Sequence, residues 1–370
     1  MRVLQIGMVY NLGGGIQTFL MNYYNNINRE NIQFDFVNIY GDRFYYRDQI
    51  ENNGGIVYDL PNYYKHPIKF IRQLKKIIND NNYEIVHCNM NSAAMLHPLI
   101  ACRLSKAKVV ISHSHNTSSD KGILKSILHS INKHFIPRLA NYYFACSNAA
   151  GKWFYSKKIL KSKKYFVIKN AIDTDKFKNI DLDINDYKEK LGIKDYNKVL
   201  LNVGRFTKQK NQEFLIKLFK EYHNIYKDSV LLLVGNGKLF ENLKEENKHD
   251  DAIKFLGRRD DVNKIMKVSD IFILPSLYEG LPLVGIEAQY CGLPCIFSDS
   301  ITKELSISDK ISFLSLNDSK DIWINEIDKL IGKKNKINDD CYDIKAESKR
   351  LENIYFELLK SGENNDSSTC

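Results

Sequence analysis

The chain has 370 residues, 44% hydrophobic and 26% charged, a balance that supplies apolar side chains for real cores and excludes a disordered chain. That length exceeds one ordinary core and predicts two domains. The 54 Lys and Arg against 44 Asp and Glu, a net charge of +10, favour an anionic partner without choosing among nucleic acid, a lipid surface and a phosphorylated small molecule.

Met1 leads straight into RVLQIGMVY, a strand-like run without the basic, apolar and small-residue pattern of a leader, so a cytoplasmic location is expected. No apolar run approaches the ~18 residues of a spanning helix. The seven cysteines, at 88, 102, 146, 291, 295, 341 and 370, are odd in number and lack metal spacing, and they read as reduced thiols. Along nearly the whole chain, apolar β-branched runs alternate with helical periodicity, the pattern of parallel sheets covered by helices. Strands are expected at 2–9, 32–39, 83–88, 108–113, 142–146 and 165–169, and again at 198–203, 229–234, 253–256, 270–274, 294–298 and 311–315. This divides the chain into a first domain over 1–172, a polar linker over 173–196, a second domain over 197–343, a terminal helix over 344–362 and a frayed tail over 363–370.

Ligands of open α/β sheets bind beyond the carboxyl ends of the strands, so the residues just after each strand carry most interest. After the first strand, NLGGGIQTF puts Gly13, Gly14 and Gly15 at a helix start, where backbone N–H groups can meet an anion; a turn that is glycine-rich for steric reasons is the alternative. KVVISHSHNT places His113 and His115 on one side of an extended segment. There they can donate to a hydroxyl or phosphate, or transfer a proton. No third ligand of fitting spacing follows, which disfavours a metal. His87, beside Cys88, reads as a packed core histidine. The stretch KGILKSILHSINKHFIPRLA, residues 121–140, carries Lys121, Lys125, Lys133 and Arg138 with no acid. Its Ile123, Ile127, Ile131 and Phe135 fall on one helical stripe, expected to face the core, with docking on an anionic membrane as the alternative.

In the second half, NVGRFTKQKNQEFL follows a strand with Arg205 and Lys210, two cations spaced to grip two phosphates from the same side; a solvated basic turn is the alternative. Gly235 and Gly237 in LLLVGNGKLF, with Gly257 and Arg258 in IKFLGRRDD, can bracket a flat base or be plain turn residues. In DIFILPSLYEGLPLVGIEAQY, a buried strand is followed by a turn at Glu279 and Gly280, Pro282 suits the first helical turn, and the helix continues over Leu283–Tyr290. The N–H groups of Gly280, Leu283 and Val284 would point at an anion. Carboxylates cannot ligate that anion, so Glu279 and Glu287, roughly 10 Å apart, are expected to serve hydroxyls on either side of it. A nucleotide sugar has that layout, with Glu287 on the ribose and Glu279 on the transferred sugar; two exposed helix acids are the alternative.

Taken in order, GGGIQTF, HSHN, ACSNAA, VIKNAIDTDKF, NVGRFTKQKN, LLLVGNG, IKFLGRRDDV and SDIFILPSLYEGLPLVGIEAQYCGLPC resemble the family 4 glycosyltransferases of the GT-B fold, in particular bacterial enzymes that build capsular, exopolysaccharide or other cell-surface glycans. The resemblance runs from residue 1 to about 360. It implies an α/β GT-B architecture, two Rossmann-like domains facing across a cleft, with the terminal helix packing back on the first domain. It also implies a retaining, metal-independent hexosyltransferase without cofactor. Such an enzyme moves a sugar from a nucleotide sugar, of UDP type, to a glycan or polyprenyl-diphosphate-linked acceptor at the inner face of the cell membrane.

By the same resemblance Glu279 holds the donor sugar, Glu287 the ribose, and Arg205 and Lys210 the diphosphate. The donor-binding helix start comprises Gly280, Leu281, Pro282, Leu283 and Val284. Gly14 and Gly15 approach the phosphates from the other domain, and one of His113 and His115 stands near the donor sugar. The departing phosphate takes the acceptor's proton. The usual Asn-Gly before the linker is Asn170-Ala171 here, a local departure. Three rivals are weaker. A metal-dependent transferase of the other fold needs a DxD after a strand, and DTD at 173–175 enters the linker. A sugar-nucleotide epimerase shares the two halves. A nucleic-acid-binding protein would cluster its lysines with aromatic platforms, which this chain does not do.

Overall fold

The computed structural model describes residues 1–7, 15–40, 44–116 and 122–366. The chain divides into two units: Met1–Ala171 together with the segment from Asp343 onward, and Ile172–Tyr342.

The first unit holds the strands β1 (Arg2–Ile6), β2 (Gln33–Asn38), β3 (Val57–Asp59), β4 (Ile85–Met90), β5 (Val109–Ser114), β6 (Tyr142–Ala145) and β7 (Tyr165–Val167) in a parallel sheet of order β3-β2-β1-β4-β5-β6-β7. The order reverses at β1, which pairs with both β2 and β4, so the crevice beyond the carboxyl ends of β1 and β4 is the topological switch point. Helices cover both faces, which is why β4 and β5 are buried along their whole length. Alternate residues feed separate cores: Val3, Ile85, Val109 and Ile111 on one face, Leu4, Val86 and Val110 on the other. The C-terminal helix, Ile344–Asp366, packs on the first of these faces through Leu351, Ile354, Tyr355 and Leu358 and runs four residues past its predicted end. β3 has no counterpart among the predicted strands; three residues between Gly55 and Pro61 are too few to show alternation.

The helix Ile123–Asn132 corrects one expectation. Its apolar stripe does not face the core: Ile123 is 83% exposed, Ile127 50% and Ile131 54%, with Leu124 and Phe135 also open. The residue that anchors the helix is His129, stacked on Trp153 at 4.0 Å and accepting the Ala93 N–H at 3.0 Å, so the opposite side of the helix takes the inward position.

The second unit holds β8 (Lys198–Val203), β9 (Ser229–Val234), β10 (Ile253–Gly257), β11 (Ile271–Leu274), β12 (Cys295–Ser298) and β13 (Ile311–Leu314), parallel in the order β10-β9-β8-β11-β12-β13. Here the switch falls between β8 and β11. The predicted linker is part of this unit rather than a free connection. Its helices Asp175–Lys178 and Ile184–Lys190 lie against the second core, which buries Ile172, Tyr187 and Ile193, and Tyr187 donates to Asp261 at 2.6 Å. A few apolar anchors at wide spacing suffice to seat a stretch that composition alone marks as loop.

Candidate functional site

The loops that follow β8 and β11 are fastened to each other at the second unit's switch point. Leu277 N–H donates to Gln209 O at 2.8 Å and Gln209 Nε2 donates to Tyr278 O at 2.9 Å. These bonds bring Lys210 Nζ to 2.8 Å from Glu279 Oε1, with the two side chains only 15% and 10% exposed. The contact is Coulombic rather than an aligned hydrogen bond, since Oε1 is buried without a hydrogen-bond partner. Gly204 lets the lysine lie flat: a Cβ there would stand 3.3 Å from Lys210 Cδ and Cε. Arg205 is exposed and has no ion-pair partner among the described residues. Ser276, fully buried just after β11, accepts a hydroxyl from Ser298 on its carbonyl at 2.5 Å while its own Oγ is unpartnered.

Pro282 is the N-cap of the helix Leu283–Tyr290, with ψ at 105°, rather than a first-turn residue. Its fixed φ and extended ψ turn the chain sharply, so Leu283 and Val284 open the helix with N–H groups that have no carbonyl one turn behind them. Gly285 N–H closes back on Pro282 O at 3.0 Å, and Gly280 and Leu281 lie half-buried ahead of the helix. Glu287 sits one turn inside. It is surrounded by protein yet keeps one accessible side, it has no ion-pair partner among the described residues, and burial pushes its carboxyl up to about 7. A carboxylate left unpaired in such a place is costly unless a ligand serves it.

The glycines after β9 and β10 do a backbone's work. Gly235 has φ +132° and a Cβ would fall 2.0 Å from Gly204 O, and at Gly237 it would fall 2.4 Å from Phe206 O. Only glycine lets these two loops touch. Gly235 N–H donates to Gly257 O at 2.8 Å, and Gly257 itself has φ +65°. Arg258 is exposed beside it. Thus Arg205, Lys210, Gly235, Gly257, Arg258, Glu279, the stretch 280–284 and Glu287 all fall in the second unit, at the carboxyl end of β10 or on segments that follow β8, β9, β10 and β11. A cavity of about 430 Å³, lined by Tyr196, Lys220, His223 and Asp251 among others, lies instead at the amino ends of the strands.

In the first unit, strand register sets Gln5 beside His87 and Asn89 beside His113. Four polar side chains thus interrupt an apolar face. His87 Nε2 meets His113 Nδ1 at 2.9 Å, and His115 Nε2 meets Asn89 Oδ1 at 2.9 Å. The His113 and His115 rings lie 3.9 Å apart. Burial pushes His87 and His113 well below the usual imidazole range and His115 to about 3, so all three are neutral near pH 7 and are poor proton-transfer groups. His87, expected to be an inert core residue, is a link in this network. Gly13, Gly14 and Lys121 lie outside the described residues. Gly15 opens the helix Gly15–Asn26, and a Cβ there would meet nothing within 4 Å. Among the described residues no three His, Cys, Asp or Glu gather as a metal site.

Sequence reasoning missed Gln5, Asn89, Tyr355, Gln209 and Ser276. The signal for the first two was present, since Gln5 interrupts the apolar run RVLQI, and His87 and Asn89 interrupt IVHCNM at the period of two.

Residues 13–176 match the family model described as Glycosyltransferase Family 4, and residues 183–343 that described as Glycosyl transferases group 1. The Bacillus subtilis (strain 168) chain EpsF, named as a glycosyltransferase, is 31% identical over 322 residues, which cover 85% of this chain and 84% of that one. An Escherichia coli UDP-Gal:alpha-D-GlcNAc-diphosphoundecaprenol alpha-1,3-galactosyltransferase is 31% identical over 283 residues, covering 74% and 71%. The crystal structure of Anabaena Alr3699/HepE in complex with UDP has a TM-score of 0.72 at 16% identity, covering 100% of this chain and 99% of that one, a likeness of fold.

Proposed function

The chain belongs to glycosyltransferase family 4, and on that premise we propose that it transfers a sugar from a nucleotide diphosphate sugar to a glycan or lipid-linked acceptor in cell-surface polysaccharide synthesis, retaining anomeric configuration and using no metal. The observation that carries this reading is the Lys210–Glu279 ion pair at the second switch point, with a helix start at Leu283 and the unpaired Glu287 following in the same segment.

An incoming diphosphate takes over Lys210, recruits Arg205 and the N–H groups of Leu283 and Val284, and so frees Glu279 to accept hydrogen bonds from the transferred sugar. Glu287 accepts from the ribose hydroxyls. As the sugar leaves, negative charge grows on the departing phosphate, and the same cations and amides stabilise it; the phosphate in turn takes the acceptor's proton. A UDP-sugar is the donor supported by the relative whose name specifies UDP-Gal and by the fold likeness to a UDP complex, and the first of these also supports a polyprenyl-diphosphate-linked acceptor.

Such an acceptor lives at a membrane. No helix among the described residues is long and apolar enough to cross one. The outward stripe of Ile123, Ile127, Ile131 and Phe135, with Lys125, Lys133 and Arg138 nearby and no acid from 122 to 140, supports docking on an anionic bilayer from one side.

The test is a panel of nucleotide sugars screened by thermal stabilisation, followed by transfer to a glycan acceptor in excess chelator. The expected result is a melting shift from one nucleotide class, full transfer with chelator present and product of unchanged anomeric configuration. Donor turnover that proceeds equally without acceptor would point to an epimerase instead.

A further inference from the structure

Two backbone carbonyls decide where the histidine protons sit. Asn89 Nδ2 lies 3.2 Å from Ile6 O and 3.4 Å from His87 O, and carbonyls only accept, so this end of the amide is its nitrogen. Asn89 Oδ1 therefore faces His115 Nε2, which must carry the proton and leaves Nδ1 bare. The same Asn89 nitrogen donates to Gln5 Oε1 at 3.1 Å, which turns Gln5 Nε2 to donate to Tyr355 Oη at 3.2 Å. The Tyr355 hydroxyl proton has no other acceptor among the described residues, so it goes to His87 Nδ1 at 2.7 Å. His87 then holds its proton on Nε2 and donates to His113 Nδ1, and His113 keeps its own proton on Nε2.

We propose that Tyr355 with His87, and Gln5 with Asn89, are positioning residues that lock His113 and His115 into Nε2–H tautomers with opposite ends left over, so that one offers an N–H and the other a bare nitrogen to a sugar hydroxyl. Three observations carry this. His113 Nε2 and His115 Nδ1 are buried and have no partner among the described residues. The two rings lie 3.9 Å apart, and each meets the ring of Phe19 edge-on, at 5.0 and 4.8 Å, on one face of the sheet. An alcohol accepts and donates at once, so it satisfies both free nitrogens. A phosphate oxygen satisfies only His113, and an ammonium only His115. Naming a sugar as the alcohol rests on the transferase reading; the proton positions rest on the hydrogen-bond geometry alone. The relay also gives the C-terminal helix a part in the site, because Tyr355 stands 268 positions from the histidine it orients.

The experiment is two-bond ¹H–¹⁵N correlation on the full chain labelled at histidine, first without ligand. The expected spectrum shows His113 and His115 protonated at Nε2 and unprotonated at Nδ1. In Tyr355→Phe, His87 loses the donor at its Nδ1, so His113 is expected to become a mixture of tautomers while His115 is unchanged, with kcat about tenfold lower and KM within about twofold. Saturating UDP-galactose, the donor in the name of one relative, should shift His113 Nε2 and His115 Nδ1 together in the wild type. A proton on Nδ1 of either ring in the wild type overturns the assignment, as does a His113 spectrum that Tyr355→Phe leaves untouched. A ligand shift at only one of the two nitrogens overturns the hydroxyl role. If the tautomers are as stated and no nucleotide sugar is ever turned over, the transferase reading fails and the tautomer assignment survives.

Discussion

Lys210 and Glu279, one from the loop after β8 and the other from the loop after β11, meet as an ion pair that is nearly out of water. Two loops from strands adjacent in the sheet but distant in sequence thereby neutralise each other where a charged ligand is expected. Removing either partner strands the other. Lys210→Met should lower stability by about 2 kcal/mol, less than the ~3–5 kcal/mol of a fully buried pair because both ends keep some solvent. Lys210→Met with Glu279→Gln should regain most of that loss in a urea double-mutant cycle. Affinity for a nucleoside diphosphate should stay weak in the double variant, since the cation is still missing. Additive stability losses would mean that the contact is incidental.

Glu287 supplies a pH dependence whose sign follows from its burial. The folded protein holds this carboxyl up at about 7, above the unfolded value, so as pH rises from roughly 4.5 to 7 folding is progressively penalised, and above 7 the penalty is constant. Glu287→Gln should therefore be no more stable than wild type near pH 4 and more stable by about 3 kcal/mol at pH 8. Ribose hydroxyls donate to the ionised form, so wild-type affinity for a nucleotide sugar should climb by up to about tenfold per pH unit below 7 and level off above it. Calorimetry with a nucleotide sugar, whose phosphates do not titrate in this range, reads the slope directly. A wild-type curve as flat as that of Glu287→Gln would remove the carboxylate from the binding site.

The outward isoleucines of the helix Ile123–Asn132 can be changed with little structural consequence. Ile127→Ser and Ile131→Ser should each alter stability by less than about 0.5 kcal/mol, since both side chains are half open to water already. Together they should reduce flotation with phosphatidylglycerol vesicles by about tenfold or more, given ~1.5 kcal/mol or more for each isoleucine newly buried in lipid. Vesicles of phosphatidylcholine should bind both forms weakly. Equal flotation of wild type and double variant would leave the stripe without a lipid role.

Gly235 and Gly257 both have positive φ, but only one is crowded. Gly235→Ala drives a methyl into Gly204 O and should cost at least ~2 kcal/mol, whereas Gly257→Ala meets open space and should cost only about 1 kcal/mol for the left-handed backbone. Denaturation midpoints of the two variants check the order. The reverse order would contradict the close approach of the two loops.

Much of the second unit's candidate site was legible because its parts are consecutive in sequence. A strand, a turn and a helix start place Glu279, Pro282 and Leu283 within a few residues, and turn chemistry with hydrophobic period is enough to read them. The Pro282 cap was misjudged by one position, since first-turn and capping prolines share the same φ. The bonding of the histidine network was not legible. Its members are Gln5, His87, Asn89, His113, His115 and Tyr355, and the bonds among them depend on which strands pair, in what register, and where the last helix returns. The exposed stripe was misread for a related reason: periodicity gives a helix an apolar side but does not say whether a neighbour covers it.

By itself the sequence determined two parallel α/β sheets and the residues at their strand ends, because alternation, glycine and proline act locally on the backbone. The tertiary structure alone decided that the segment 173–196 belongs to the second core, that Lys210 neutralises Glu279, and that Tyr355 reaches His87. Each of these is a contact between segments distant in the chain, and its energy depends on burial and hydrogen-bond direction, which exist only once the layers have packed.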